Sequence, residues 1–459
     1  MPNDKLMILC HQFLARKMMT IRKSKLFKYS FSLILCELSE SVLLFSGVFL
    51  FAFGHGEAIG VIGLLDTFLL CCFAIGNALA DSYHNFYTRA KQNSRLPLAK
   101  SIFNRSLWVF LAQGFKVFLV TALLGVLLSG WMSSESIEIF IQSLPLLLVL
   151  VLVFFAGLSH HALLVGMGKL KTVGILALIS IVVNTSLILG LQQFAGEVFD
   201  PVTMVLIAGI CSELLWLILL RIHINSLLSG VEANSAPSAR LQKVIVKAGF
   251  LPGLAVFFFY LFTYLFMGYL TICCAASEVM YFSMVFALWS VMMAPANGAY
   301  EAALHLFSKE WNSGNLERFE AIKRSVTSLS FLLSLGVFFA LSWVLIYTMP
   351  GDPYLWLILM LLPILALLNS RTKFGFLSLF VQIRISRYSS LKVVYAGIVI
   401  LTLMAFSIFF QVNTLILILT LLVGQAALCS LLSREICWSK FVIPQFIRFT
   451  NLKRELLRG

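Results

Sequence analysis

Apolar positions in this chain do not alternate as in a half-buried strand. Nor do they recur every third or fourth residue as on a surface helix. They run on without interruption, and about 20 apolar residues suffice to carry a helix across the ~30 Å hydrocarbon core of a bilayer. Twelve such runs are present, at 29–53, 58–82, 104–130, 137–164, 170–193, 201–223, 246–271, 277–305, 325–349, 354–378, 391–411 and 414–433. The pattern predicts an all-α membrane protein with twelve transmembrane helices.

The polar breaks between the runs sort by charge. The N-terminal arm holds Lys5, Arg16, Lys17, Arg22, Lys23, Lys25 and Lys28. Arg89, Lys91, Arg95, Lys100 and Arg105 follow the second run, and Lys169 and Lys171 the fourth. Further basic groups, among them Arg221, Lys309, Arg371, Lys373, Arg387, Lys392 and Arg434, fall in the remaining even-numbered breaks and the tail. The odd-numbered breaks carry Glu57, Glu135, Glu138, Glu197, Asp200 and Asp352, with no Lys or Arg. Basic loops stay in the cytoplasm, so this order predicts that both termini are cytoplasmic, here on a bacterial inner membrane. Lys116 alone departs from it.

Composition agrees. The 459 residues are 60% hydrophobic and 12% charged, half the charged share of a soluble domain. The mean hydropathy is +0.96. The net charge of +14 follows sidedness, which removes its apparent pointer to nucleic acid. The nine cysteines lie mostly in apolar runs without a C-x-x-C pair, so they read as packed hydrophobes and imply no metal. The basic stretch 1–28 lacks the apolar core of a cleavable signal and reads as a cytoplasmic arm.

Two basic phrases resemble each other. "HNFYTRAKQNSRLPLAKSIFNRS" begins at His84 and "HLFSKEWNSGNLERFEAIKRS" at His305. One follows the second run and the other the eighth. Each half then holds six spans, an even number, so the halves share one orientation as parallel repeats. The expected division is an arm at 1–28, an N-lobe at 29–224, a linker at 225–245, a C-lobe at 246–434 and a basic tail at 435–459. Such a protein places a binding cavity between its lobes and rocks them about it.

Ionisable groups inside the hydrocarbon cost about 2.5–3.5 kcal/mol each on insertion scales and are functional candidates by default. Glu37 and Glu40 in the first run share a helix face at i, i+3. Asp66, Lys116 and Glu213 lie in the second, third and sixth runs, while Asp81, Glu278 and Glu301 fall nearer span ends. All the mid-depth charges therefore sit in the N-terminal half. Lys116 is positioned by sequence to neutralise a carboxylate or meet an anionic group on the cargo. Tyr260, Tyr264 and Trp289 are candidate cavity aromatics, with Phe257, Phe258 and Phe259. Asn297 and Gly298, after Pro295, predict an irregular helix lining a cavity. His160 and His161 read as packing groups near a span end.

Over roughly residues 30–435 the chain resembles the multidrug and toxic compound extrusion (MATE) family, whose superfamily also holds lipid-linked oligosaccharide flippases. "GHGEAIGVIGLLDTF", "AIGNALADSYHNFYTRA", "GMGKLKTVGILALISIVVNTSLIL", "GFLPGLAVFFFY" and "APANGAYEAALHLFSKEWNSGNLERFEAI" carry the resemblance in order. The Gly-x-x-x-Asp-Arg signature of the major facilitators is missing from the loop after the second run. Asn184 matches a family Asn in span 5. The resemblance implies coupling in the N-lobe, yet the family's carboxylates are displaced. Ser46 or Gly47 stands where many members have Asp in span 1, Ile188 where many have Asp in span 5, and Phe259 or Tyr260 where one branch has Glu in span 7.

These readings lead to a secondary exporter of an amphipathic small molecule or secondary metabolite, exchanging cargo for H+ or Na+ without a cofactor. The expected coupling carboxylates are Glu37, Glu40, Glu213 and Asp66. Lys116, Asn184, Tyr260, Tyr264, Trp289 and Asn297 are the expected cargo or ion-pair residues. The alternative is a flippase-like carrier of a lipid-linked or anionic product. Neither needs a partner beyond cargo and bilayer, and no nucleophile motif, Walker A sequence or His/Asp metal constellation points to an enzyme.

Overall fold

The computed structural model describes residues 32–37, 56–129, 134–195, 198–232, 239–273, 276–312, 316–348, 353–381, 385–409 and 414–439. In hydrocarbon every backbone N–H and C=O must be paired within the protein, which restricts spanning segments to helices or closed barrels. The helices are α1 (Gly56–Gln92), α2 (Leu96–Ser129), α3 (Ser134–Gly166), α4 (Leu170–Ala195), α5 (Pro201–Leu227) and α6 (Ala239–Cys273). They continue as α7 (Ala276–Asn312), α8 (Leu316–Thr348), α9 (Leu355–Val381), α10 (Ile385–Phe409) and α11 (Thr414–Ser439). A helical segment at 32–37 precedes them.

Ten of these helices are long and apolar enough to cross a bilayer. In α10 the described apolar stretch, Ser390–Leu403, is shorter. Most of the first expected span, the arm 1–28, linker residues 233–238 and the tail from 440 onward lie outside the described residues, as does Glu40.

The repeat is visible in both spacing and packing. Gly56 and Ala276 are 220 residues apart, as are Gln92 and Asn312, and Leu96 and Leu316. Within the first half α1 packs on α2 and α3, α3 on α5, and α4 on α5. Within the second, α7 packs on α8 and α9, α9 on α11, and α10 on α11. The equivalent helices α1 and α7 are the central pair. Buried positions make up 78% of the apolar window in each, against 28–44% in the other eight spans.

Small residues let the halves meet at backbone distance. A Cβ on Gly249 of α6 would lie 2.7 Å from the Ala78 carbonyl oxygen and 2.8 Å from Leu79 Cα on α1. A Cβ on Gly298 of α7 would lie 2.7 Å from the Leu33 carbonyl carbon in the segment 32–37. Ala78 and Gly298 are themselves 220 residues apart, so the two crossings are the same contact made once per repeat.

The first basic phrase is not a loop. It is the end of α1, a tight turn at 93–95 and the start of α2. Ser94 takes φ 56° in that turn, and the Arg95 N–H donates to the Ala90 carbonyl at 2.8 Å. Lys91 Nζ donates to the Met167 carbonyl at 2.7 Å, and Lys100 Nζ to the Val231 carbonyl at 2.6 Å. Lysine thus satisfies carbonyls just past the ends of α3 and α5, where the helix dipole is negative. The second phrase occupies the same place on α7 and α8, and its side chains from 305 to 321 lie outside the described set. The helix α7 continues through Pro295, and Asn297 just after it lines a cavity.

Filling either crossing forces backbones apart, and overpacking of this kind costs about 1–3 kcal/mol. Gly249→Val and Gly298→Val are each expected to lower the apparent melting temperature of the purified protein. Gly336→Val, where nothing lies within 4 Å of the added Cβ, is expected to leave it unchanged.

Candidate functional site

Five helices of the second half, together with α1 and Glu37, enclose a cavity of about 280 Å³. Each contributes a stripe at helical spacing. Asp66, Phe73, Asn77 and Asp81 come from α1, and Tyr260 and Thr263 from α6. Phe286, Trp289, Asn297 and Tyr300 come from α7, and Asn369, Thr372, Lys373 and Phe376 from α9. Tyr388, Lys392 and Tyr395 come from α10, and Gln425 from α11.

The walls differ in character along the cavity. Asp66 is 5% exposed, and its Oδ2 has no hydrogen-bond partner among the described residues. It lies fifteen residues before Asp81, about 22 Å along the same helix. Around Asp81 the charges converge. Asn297 hydrogen-bonds the Glu37 carboxylate, which also feels the charge of Lys373. Asp81 feels both Glu37 and Lys373. Lys373 further sits over the Tyr300 ring, 5.9 Å from its centroid. This cluster joins residue 37 and α1 of the first half to α7 and α9 of the second.

A second polar network stands behind it. Gln425 Oε1 accepts from Thr372 Oγ1 at 3.0 Å, and Gln425 Nε2 donates to Tyr395 Oη at 3.1 Å and to Asn369 Oδ1 at 3.4 Å. A buried amide that meets three partners fixes α9, α10 and α11 against one another.

The structure brings five of the expected residues to the cavity: Glu37, Asp66, Tyr260, Trp289 and Asn297. Glu40 lies outside the described residues, and Lys116, Asn184, Glu213 and Tyr264 stand elsewhere. Lys116 is exposed on the outer face of α2 beside exposed Phe115 and Leu119, so it reaches no carboxylate of the cavity. Asn184 is buried and donates to Ser212 Oγ at 3.1 Å between α4 and α5. Glu213, next along α5, has a buried Oε2 without a hydrogen-bond partner among the described residues and does not line the cavity. Tyr264 is fully buried and packs edge-on to Phe68, with ring centroids 5.9 Å apart. The paired histidines are packing groups, His160 edge-on to Phe103 at 5.1 Å and His161 against Trp216 at 5.7 Å.

Two corrections concern charge. Asp81, expected near a span end, lines the cavity eleven residues inside α1. Lys373 and Lys392, counted as loop residues, lie about 12 and 10 Å inside α9 and α10. The second half therefore does carry charge within the bundle. Sequence alone held one signal for this region. Asn77 and Asp81 of "NALAD" match Asn297 and Glu301 of "NGAYE" at the 220-residue offset. Both asparagines line the cavity, and the Glu301 side chain lies outside the described set.

The bundle of two like halves surrounds a mixed-polarity cavity lined from both of them. Solved structures place it more narrowly, in the MATE transporter fold. A MATE protein crystallised with MaL6 matches with a TM-score of 0.71 at 12% identity, covering 91% of this chain and 97% of that one. An outward-facing multidrug resistance MATE transporter of the MOP superfamily matches with a TM-score of 0.70 at 12% identity, covering 91% and 96%. An inward-facing one matches with a TM-score of 0.65 at 14% identity, covering 89% and 96%. No family model matches the sequence, and no curated protein matches it significantly.

Replacing Gln425 with Leu strands the polar groups it joins, at a cost of about 1–3 kcal/mol for each buried group left unpaired. Gln425→Leu is expected to lower the melting temperature clearly, whereas Ser390→Ala, at an exposed position of α10, is not.

Proposed function

We propose that this protein is a secondary exporter that moves an amphipathic small molecule outward across a bacterial inner membrane by alternating access. The observation that carries the reading is the cavity itself, lined by charged groups drawn from both repeats. The MATE fold, solved in inward- and outward-facing forms in other proteins, supports it. Tyr260, Phe286 and Trp289 offer an apolar aromatic wall for the body of the cargo. In this reading the lobes are 29–224 and 246–434, and within the linker 225–245 the stretch between the two helices is 228–238.

Coupling in this reading runs through Glu37. While ionised, its carboxylate attracts Lys373 across the repeats and favours one packing of the halves. A proton bound there removes that attraction and favours the other. One charge crossing 100 mV supplies about 2.3 kcal/mol, comparable to a change in one buried charge contact. Asp66, whose Oδ2 has no hydrogen-bond partner among the described residues, is the second candidate to carry H+ or Na+, at the other end of the cavity. The reading assigns no enzymatic step.

The test is cargo-driven collapse of an imposed pH gradient in everted vesicles, run with a panel of amphipathic solutes. Wild type is expected to discharge the gradient with at least one solute. Glu37→Gln, at matched expression, is expected to lose that discharge about tenfold or more. Discharge at wild-type rate in the variant would remove Glu37 from coupling.

A further inference from the structure

Lys392 is unlike the other cavity charges. It lies on α10 between Tyr388 and Tyr395, on the stripe that faces the cavity. Its ammonium stands over the Phe376 ring, 4.5 Å from the centroid, and the charged group it senses is Lys373, of like sign. No carboxylate comes within ion-pair distance of it among the described residues. Glu37 and Asp81 gather on Lys373 instead. A lysine inside a bundle ordinarily pairs with an acid or a backbone carbonyl. Here a cation–π contact, worth a fraction of an ion pair, takes that place. The cavity thus holds a lysine with no carboxylate partner among the described residues, beside a second lysine, with phenol rings on either side and an aromatic wall farther along.

From this geometry we infer that the cargo carries an oxyanion, a phosphate ester or carboxylate, which docks on Lys392 while its apolar body lies along Tyr260, Phe286 and Trp289. The inference rests on the exporter reading and narrows it to amphipathic anions. Among the described residues, a cationic head would meet two lysines at this end of the cavity, with the carboxylates Glu37 and Asp81 already engaged with Lys373. An anionic head completes the charge of Lys392 and gains charge-assisted hydrogen bonds from it. The occupant favoured by a cavity of about 280 Å³ is a compact soluble solute. A lipid headgroup presents the same chemistry from another source.

The test is equilibrium binding to the full chain in nanodiscs of zwitterionic phosphatidylcholine. The probes are 1-naphthyl phosphate and, as its cationic counterpart, 1-naphthylmethylammonium. Wild type is expected to bind the phosphate more tightly than the ammonium. Lys392→Gln is expected to weaken the phosphate about tenfold or more, in line with loss of a charge-assisted hydrogen bond. Lys392→Arg is expected to restore most of the affinity, which separates a charge role from misfolding. Lys171→Gln, at an exposed site on α4, is expected to change nothing. A third arm adds phosphatidate to the nanodiscs. Competition that requires Lys392 would support the oxyanion site and assign it to a lipid head, and absence of competition would support the soluble solute. Tighter binding of the ammonium, or unchanged phosphate binding in Lys392→Gln, would overturn the inference. Gradient discharge that persists in such a case would leave the exporter reading standing. Phosphate binding without discharge by any solute would do the reverse.

Discussion

Backbone contact at Gly249 and Gly298 is the constraint on which the rest of the structure depends. In a bilayer the apolar lipid tails give helices no hydrophobic reason to associate, so close packing between small residues supplies the cohesion. Here α6 lies on α1 at Gly249, and the segment 32–37 lies on α7 at Gly298. Each crossing ties a helix of one half to the central helix of the other. With α1 and α7 held in the middle, their polar stripes have nowhere to go but inward. Asn77, Asp81 and Asn297 thus become cavity wall rather than lipid-facing surface.

That placement explains how charge is tolerated at depth. Glu37, Asp81 and Lys373 share one another's fields, and Gln425 locks the helices that carry the lysines. Groups held this way are rigid in one arrangement of the halves and would be remade in another. A charge cluster that spans the repeats is therefore a structural element and a candidate latch at once. The same cluster leaves Lys392 with no acid partner among the described residues, its ammonium resting over the Phe376 ring instead.

The fold was largely legible in the sequence because the bilayer imposes it. Uninterrupted apolar runs located the helices, and the phrases at His84 and His305 marked the repeat that α1–α2 and α7–α8 display. The site was legible only in part. Glu37, Asp66, Tyr260, Trp289 and Asn297 reached the cavity, whereas Lys116, Asn184, Glu213 and Tyr264 did not. The reason is rotational, since successive helix positions turn by about 100°. A helix apolar on every side gives no pattern from which to read its inward face. Lys373 and Lys392 were misplaced for a different reason. Counting basic residues as loop markers suits side chains that end in water, but α9 and α10 carry these two about two turns inside the bundle. The matched asparagines at 77 and 297 were a further pointer to the cavity, and they lay just ahead of the phrases that drew the comparison.

The central claim is that the two repeats move against each other about this cavity. It is tested most directly by the distance between spin labels at Gln92→Cys, on α1, and Ser390→Cys, on α10, in a background without the native cysteines. Both positions lie at the basic end of the bundle, one on each half. The account predicts two distance populations whose ratio shifts between acidic and alkaline buffer, and a shift that is lost in Glu37→Gln. A single distance unchanged by pH in the wild-type chain would contradict it.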